Sequence, residues 1–217
     1  MLKMSDFNAF FDEWAASYDA TVYGSDNEYI EVFQNYEGIF ESIITSLHTQ
    51  NANNVIEVGP GTGNLTAKLL SAGFKIVGIE PSSEMRKLAS EKLPEVSFLE
   101  GHFLDFPELN PADAIVSSYA FHHLTLDEKR QSIDLMKGLL NKNGTLVIAD
   151  TMFESAAYKA ALLQAVEADG ALNLLNDLNT EYYEMLEDMV AILEEAQFSV
   201  RKEKMNRYVW VLTASLN

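Results

Sequence analysis

No cysteine occurs in the 217 residues. Disulfides, thiolate metal sites and cysteine nucleophiles are thereby excluded. Basic residues are scarce as well: 15 Lys and Arg stand against 33 Asp and Glu, a formal net charge of −18. Such a chain repels a phosphate backbone, and the sequence offers no basic patch to overcome this, so no nucleic-acid partner is expected and a small molecule is the better substrate. Acidity that merely maintains solubility explains the charge equally well, so it argues against partners rather than for one. Long apolar runs are also missing. The longest, such as Tyr208-Val-Trp-Val-Leu212, fall far short of the roughly 20 residues that cross a bilayer, and Met1-Leu-Lys-Met-Ser-Asp lacks an apolar signal core. No membrane partner is expected, and a cytoplasmic location follows as the default. What is present is 47% apolar content, enough for the core of a soluble globular protein.

Residues 1–50 read as a helical prefix. Phe7, Phe10, Phe11 and Trp14 mark one face of a short helix leading into Ala15-Ala-Ser-Tyr-Asp19. Ser25-Asp-Asn-Glu28 forms a capping box ahead of Ile30, Phe33, Ile39, Phe40, Ile43, Ile44 and Leu47 at helical spacing. From Asn54 onward, apolar strands alternate with helical segments, the signature of a parallel sheet built from βαβ units. The strands are expected at Val55–Val58, Lys75–Ile79, Val96–Leu99, Ala112–Ser117 and Gly144–Ala149. Helices run between them from about Thr62 to Gly73, from about Ser83 to before Pro94, and behind the cap Thr125-Leu-Asp-Glu128. Residues 151–180 break the rhythm: a helical stretch through Tyr158, Leu162, Leu163 and Val166 closes near Gly170 and gives way to Asn-rich sequence. This stretch is expected to roof the carboxyl edge of the sheet. Thr180 is expected to cap a helix whose buried stripe is Met185, Met189, Ile192 and Leu193, and strands around Phe198–Val200 and Tyr208–Leu212 to pair as a hairpin.

The expected architecture is α/β: a doubly wound, seven-stranded, mostly parallel sheet with a C-terminal antiparallel hairpin and helical additions. A single domain is expected over residues 1–217, comprising the prefix, a cofactor-binding core over 51–150, the insertion or lid over 151–180, and a C-terminal helix and hairpin over 181–217.

In an open parallel sheet, ligands bind beyond the carboxyl ends of the strands, where neighbouring connections diverge. Gly59, Gly61 and Gly63 occupy the turn from strand one into its helix, where missing side chains let a cofactor touch the backbone. A dinucleotide fingerprint, Gly-x-Gly-x-x-Gly, would put its third glycine at position 64, which is Asn64. Glu57 supplies a carboxylate that would repel a pyrophosphate but welcome a cationic head group. Glu80 ends strand two at the offset where an acidic side chain accepts hydrogen bonds from a ribose diol. After strand three, His102 and Phe103 are the candidates to flank an adenine ring. Tyr119, His122, His123 and Asp150 end strands four and five, and Tyr18 joins them from the prefix. For the two histidines, capping or packing beneath the next helix competes with a role as base. Tyr182 and Tyr183 read as helix-packing residues.

Glu57-Val-Gly-Pro-Gly-Thr-Gly63, Gly78-Ile-Glu-Pro81, Gly101-His-Phe-Leu-Asp-Phe-Pro107 and Ala120-Phe-His-His-Leu124 resemble the ordered motifs of the class I S-adenosylmethionine-dependent methyltransferases, a Rossmann-like family. Within it, Trp14-Ala-Ala-Ser-Tyr-Asp19, Gly59-Pro-Gly-Thr-Gly-Asn-Leu-Thr66, Tyr119-Ala-Phe-His-His-Leu-Thr125 and Tyr208-Val-Trp-Val211 are similar to the small YrrT-like bacterial methyltransferases. The resemblance implies S-adenosylmethionine as cofactor, with S-adenosylhomocysteine as product. It implies that Gly59, Gly61 and Gly63 approach the cofactor, that Glu57 lies near its ammonium and that Glu80 holds its ribose, with Pro81, His102, Phe103 and Ser118 on the cofactor side. Tyr18, Tyr119, His122 and His123 are the candidates on the catalytic side, and Tyr18 is a candidate lid. The family usually has aspartate where this chain has His102. A neutral imidazole there is expected to accept from the adenine amine, with weaker binding or greater pH sensitivity near neutrality as the consequence.

Substrates are narrowed too. The lack of cysteine removes a thiol-dependent route to pyrimidine methylation, and Ser117-Ser-Tyr-Ala120 replaces the Asn/Asp-Pro-Pro-aromatic run that holds an extruded base. With Asp150 lacking an obvious partner, no metal site is expected. The expected reaction is in-line methyl transfer to a small-molecule acceptor. An NAD-dependent oxidoreductase and a non-catalytic protein that binds the cofactor or its product remain open as rivals.

Overall fold

Runs such as Ala114-Ile-Val116 and Leu146-Val-Ile-Ala149 have no polar face to offer to solvent, and every residue in both is buried, as in strands of a parallel sheet covered on both sides. The computed structural model describes Val22, Gly24 and residues 28–216. Seven strands, β1 (Asn54–Val58), β2 (Lys75–Ile79), β3 (Ser97–Leu99), β4 (Ala112–Ser118), β5 (Leu140–Thr151), β6 (Phe198–Lys204) and β7 (Val209–Leu216), form one sheet in the order β3-β2-β1-β4-β5-β7-β6. β1 to β5 pair in parallel, and β7 lies antiparallel between β5 and β6. The expected fold class and hairpin are thus present.

Helices with described bounds are α1 (Tyr36–Thr49), α2 (Asn64–Ser71), α3 (Ser83–Lys92), α4 (Leu126–Gly138), α5 (Ala156–Ala168), α6 (Leu172–Thr180) and α7 (Leu186–Glu195). Alternation along the strands divides the core into two layers. Val55, Val116, Val147 and Ala149 pack with α1, α2, α5 and α6, while Ile56, Ile115, Leu146 and Ile148 pack with α4 and α7. Each such aliphatic side chain removed from water contributes on the order of 1.5–3 kcal/mol. Among the described residues, no helix is long and apolar enough to cross a membrane.

Three expectations need correction. The helix expected behind Ser25–Glu28 starts at Tyr36, after Asn35 adopts a left-handed φ of 63°, so Ile30 and Phe33 lie in turns and Ile30 is 49% exposed. A left-handed residue interrupts a right-handed helix. Second, the Asn-rich stretch is itself α6, because Leu174 and Leu178, four residues apart, bury one face. Glu28 caps that helix instead of its own: its carboxylate accepts the backbone N–H groups of Asn173 and Leu174 at 2.7 and 3.1 Å. Third, Thr180 ends α6, its hydroxyl donating to the Asn176 carbonyl, and α7 begins behind Met185 with no side-chain cap. The rest of the expected capping box at Ser25, the apolar face at Phe7, Phe10, Phe11 and Trp14, and Tyr18 lie outside the described residues.

The topology positions the site. From β1 the chain builds outward through β2 and β3, then returns to the other side of β1 with β4 and β5. The connections diverge between the carboxyl ends of β1 and β4, the place where an open α/β sheet binds ligands.

Candidate active site

The turn after β1 is held in a conformation that suits glycine. Gly59, Gly61 and Gly63 have φ values of 74°, 56° and 84°. A single carboxylate locks the turn to its neighbour: Glu80, 5% exposed, accepts from the Gly61 N–H at 3.0 Å through Oε2 and from the Ser82 N–H at 2.9 Å through Oε1. Arg86 braces the same corner, donating to the carbonyls of Glu80 and Pro81 at 2.7 Å each. Glu80 therefore stands just after β2 with its orientation set, and Pro81 follows it.

Beneath the glycine turn, Glu57 is 1% exposed. Its Oε2 accepts from the Thr66 hydroxyl at 2.6 Å, while Oε1 has no hydrogen-bond partner among the described residues. Burial pushes this carboxyl up to about 8, against the lowering effect of the Thr66 bond and with a smaller upward contribution from Glu80. A buried acceptor left unpaired costs about 1–3 kcal/mol, which a bound donor or positive charge would offset. Thr66 closes the Gly59–Thr66 motif of the resemblance, but nothing in the sequence marked it as the partner of Glu57, nine residues away. Thr66→Val removes the remaining partner of Glu57 and is expected to destabilise the unliganded protein by about 1–3 kcal/mol, read from denaturant unfolding at neutral pH.

After β3, Gly101 is forced by crowding: a Cβ there would lie 2.9 Å from both Ile79 and Pro107. His102 accepts the Leu104 N–H at Nδ1, 3.2 Å away, and burial lowers its pKa, opposed by the nearby Asp105. This changes the expected role. The acceptor nitrogen of the neutral ring is taken by the backbone, so Nε2 carries the proton and offers a donor rather than an acceptor. Phe103 is buried against Phe121 with ring centroids 5.1 Å apart, so its ring belongs to the core.

The turn after β4 carries the remaining candidates. Ser118 ends the strand, and Tyr119 follows with a φ of 53°, a strained conformation for a bulky residue. The Tyr119 hydroxyl donates to the Val32 carbonyl at 3.2 Å, and its ring packs 5.2 Å from Phe33 and 5.7 Å from Tyr36. His122 Nδ1 lies 2.7 Å from Asp150 Oδ1, and Asp150 Oδ2 accepts the His122 backbone N–H at 3.0 Å. Asp150, expected to stand alone, thus has a partner on the neighbouring strand's loop. Burial opposes its ionisation, yet the His122 ring and the N–H donors around it hold its pKa below the ordinary carboxylate value. His123 Nδ1 lies 3.2 Å from Glu181, and burial and His122 together keep the His123 pKa low. Tyr183 stacks on His122 at 4.8 Å rather than filling a helix interface, and Tyr182 donates its backbone N–H to the His122 carbonyl. No group of three or more His, Asp or Glu side chains among the described residues is arranged to hold a metal.

Comparisons with known proteins bear on the identity of this site. The profile of a family described as a methyltransferase domain matches residues 55–144, from β1 into β5. An uncharacterized methyltransferase from Alkaliphilus oremlandii is 48% identical over 212 residues, covering 98% of each chain. The chain belongs to the methyltransferases. A second methyltransferase relative, from Bacillus cereus, is 48% identical over 97% of this chain and 98% of its own. The methyltransferase also shares its fold with magnesium protoporphyrin IX methyltransferase from Synechocystis PCC 6803, solved with bound S-adenosylhomocysteine. That match has a TM-score of 0.76 at 16% identity, covering 99% of this chain and 100% of the other. N-methyltransferase NodS from Bradyrhizobium japonicum, in complex with the same molecule, aligns with a TM-score of 0.67 at 16% identity over 96% and 97% of the two chains.

Proposed function

We propose that this methyltransferase takes its methyl group from S-adenosylmethionine, releases S-adenosylhomocysteine and methylates a small-molecule acceptor. The carrying observation is the unpartnered Oε1 of the buried Glu57, just before the glycine turn. An α-ammonium fits it in hydrogen bonding and favours ionisation of the carboxyl, whereas a pyrophosphate brings negative charge beside Glu80 and opposes that ionisation. Gly59, Gly61 and Gly63 let the cofactor approach the backbone. Glu80, with Pro81 beside it, holds the ribose hydroxyls. His102 faces the adenine as a donor, and Ser118 borders the same cleft. When bound, the cofactor supplies an electrophilic methyl carbon on a sulfonium. The residues of this chain then have to orient the acceptor in line with that carbon and exclude water. Tyr18, Tyr119, His122 and His123 are assigned to the acceptor side, roofed by residues 151–180, all within a single cytoplasmic domain.

The acidic balance of 33 Asp and Glu against 15 Lys and Arg supports a small acceptor over a nucleic acid. Calorimetric titration with S-adenosylhomocysteine and with NAD tests the assignment. Binding of the former alone is expected. Binding of NAD alone overturns the proposal. Tight binding of S-adenosylhomocysteine with no turnover across a broad acceptor screen would leave a cofactor-binding protein without catalysis.

A further inference from the structure

Ala120, the residue before the turn Phe121–His123, lies against the glycine turn: a Cβ at Gly59 would stand 2.7 Å from its side chain. His122 follows two residues later, on the connection that leaves β4 at the switch point. Asp150 is 3% exposed at the end of β5, and its oxygens accept from the His122 ring, the His122 backbone N–H and the Thr151 N–H at 2.7, 3.0 and 2.7 Å. An ionised carboxylate so placed needs a proton on Nδ1, which leaves the lone pair of the neutral ring on Nε2. That Nε2 makes no hydrogen bond among the described residues, and the side chain keeps 12% of its surface accessible. Aspartate, oriented histidine and a free outward nitrogen form the arrangement that accepts a proton from a reacting group.

We infer that His122 removes a proton from the methyl acceptor through Nε2, that Asp150 positions it, and that the acceptor is a weakly acidic hydroxyl of phenol or enol type. The inference rests on the methyl-transfer reading above. As the acceptor oxygen bonds to the methyl carbon, the carbon–sulfur bond breaks with its electron pair going to sulfur, and the acceptor's proton passes to Nε2 and then to solvent. An aromatic amine is unprotonated near neutrality and attacks through its own lone pair, and a thiol is partly ionised there, so neither needs a base built in this way.

Every charged or titratable group around the ring is compatible with this assignment. Asp150 stabilises the imidazolium. His123 lies 4.1 Å away and is kept neutral by burial and by His122, and Glu181 adds negative charge from the segment after α6. Burial keeps the stacked Tyr183 protonated. On the far side, beyond a cavity of about 10 Å³, the buried Lys129 is neutralised by Glu184 at 3.0 Å. His123 is the weaker candidate because its carboxylate partner is 28% exposed and more distant.

Long-range proton–nitrogen NMR of the protein without ligand reads the tautomer directly. Neutral His122 is expected as the Nδ1–H form in the wild type and as a mixture in Asp150→Asn; an Nε2–H form in the wild type overturns the inference. Methyl transfer to phenol and acetylacetone, compared with aniline, reads the acceptor class. Transfer to the oxygen acids is expected to fall about 100-fold or more in His122→Gln, with S-adenosylhomocysteine affinity unchanged. Transfer to aniline alone, or to none of the three, overturns the assigned class. If S-adenosylhomocysteine fails to bind, the methyl-transfer reading itself falls; if it binds and the tautomer is wrong, only the base assignment falls.

Discussion

Glu57→Gln is expected to weaken binding of S-adenosylhomocysteine by roughly 100-fold, within the range for deleting one partner of a buried ion pair, while leaving the unliganded protein at least as stable at pH 8. The two effects have one origin. In the unliganded protein the carboxyl is buried, with one oxygen unpaired, and its pKa lies near 8 rather than the ordinary 4.5. Between those values the folded state keeps a proton that the unfolded state has lost, so stability is full below the unfolded pKa and falls as pH rises through about 8. The melting temperature of the wild type is therefore expected to decline from pH 5 to pH 8.5 more steeply than that of Glu57→Gln. Ligand binding reverses the preference, because a neighbouring ammonium favours the ionised carboxylate. At pH 7 binding is then expected to release nearly one proton, measured by calorimetry in buffers of different ionisation enthalpy. Glu57→Gln should release none from this site. A wild type that binds without proton release would show that the cation does not sit at Glu57.

Gly59→Ala is the second substitution with a large expected effect. At φ 74° an L side chain is strained by about 1–2 kcal/mol. Its Cβ would also stand 2.7 Å from the Cβ of Ala120, a short side chain that cannot swing away. Overpacking of this kind costs about 1–3 kcal/mol. Together these lower the melting temperature by on the order of 10 °C for a chain of this size. The added methyl also separates the turns after β1 and β4, so cofactor binding and the placement of His122 should fail together. Gly61→Ala is the control. It shares the positive φ, but open space surrounds the new Cβ, so the unliganded protein should lose only about 1 kcal/mol. Equal destabilisation by the two substitutions, followed by thermal unfolding, would show that the contact with Ala120 does not limit the site.

How far the site could be read from the sequence depended on how local its causes were. The glycine spacing and Glu57 belong to one strand and its turn, and Glu80 lies at a fixed distance along a βαβ unit, so their positions follow from short-range pattern. Thr125-Leu-Asp-Glu128 closes its capping box within four residues and was legible for the same reason. His102 was correctly placed after β3, but the direction of its hydrogen bond was not, because the Leu104 N–H that occupies Nδ1 is set by the bend around Gly101. Thr66 stood in a motif of the resemblance, but its bond to Glu57 carried no signal: a threonine inside a helix reads as neutral until the helix is laid over the strand.

The alternation of apolar strands with helical segments, the early third glycine and the acidic surplus were determined by the sequence alone, since each follows from side-chain periodicity or charge, independent of packing. Tertiary structure alone decided the pairings. Asp150 meets His122 across 28 residues because β4 and β5 lie side by side. Glu28 reaches the amino end of α6 across 145 residues because the prefix and the 151–180 segment pack on the same layer. Such contacts arise from sheet order, which places distant strand ends together. No periodicity in the chain records which carboxylate a histidine will face once the sheet has closed around it.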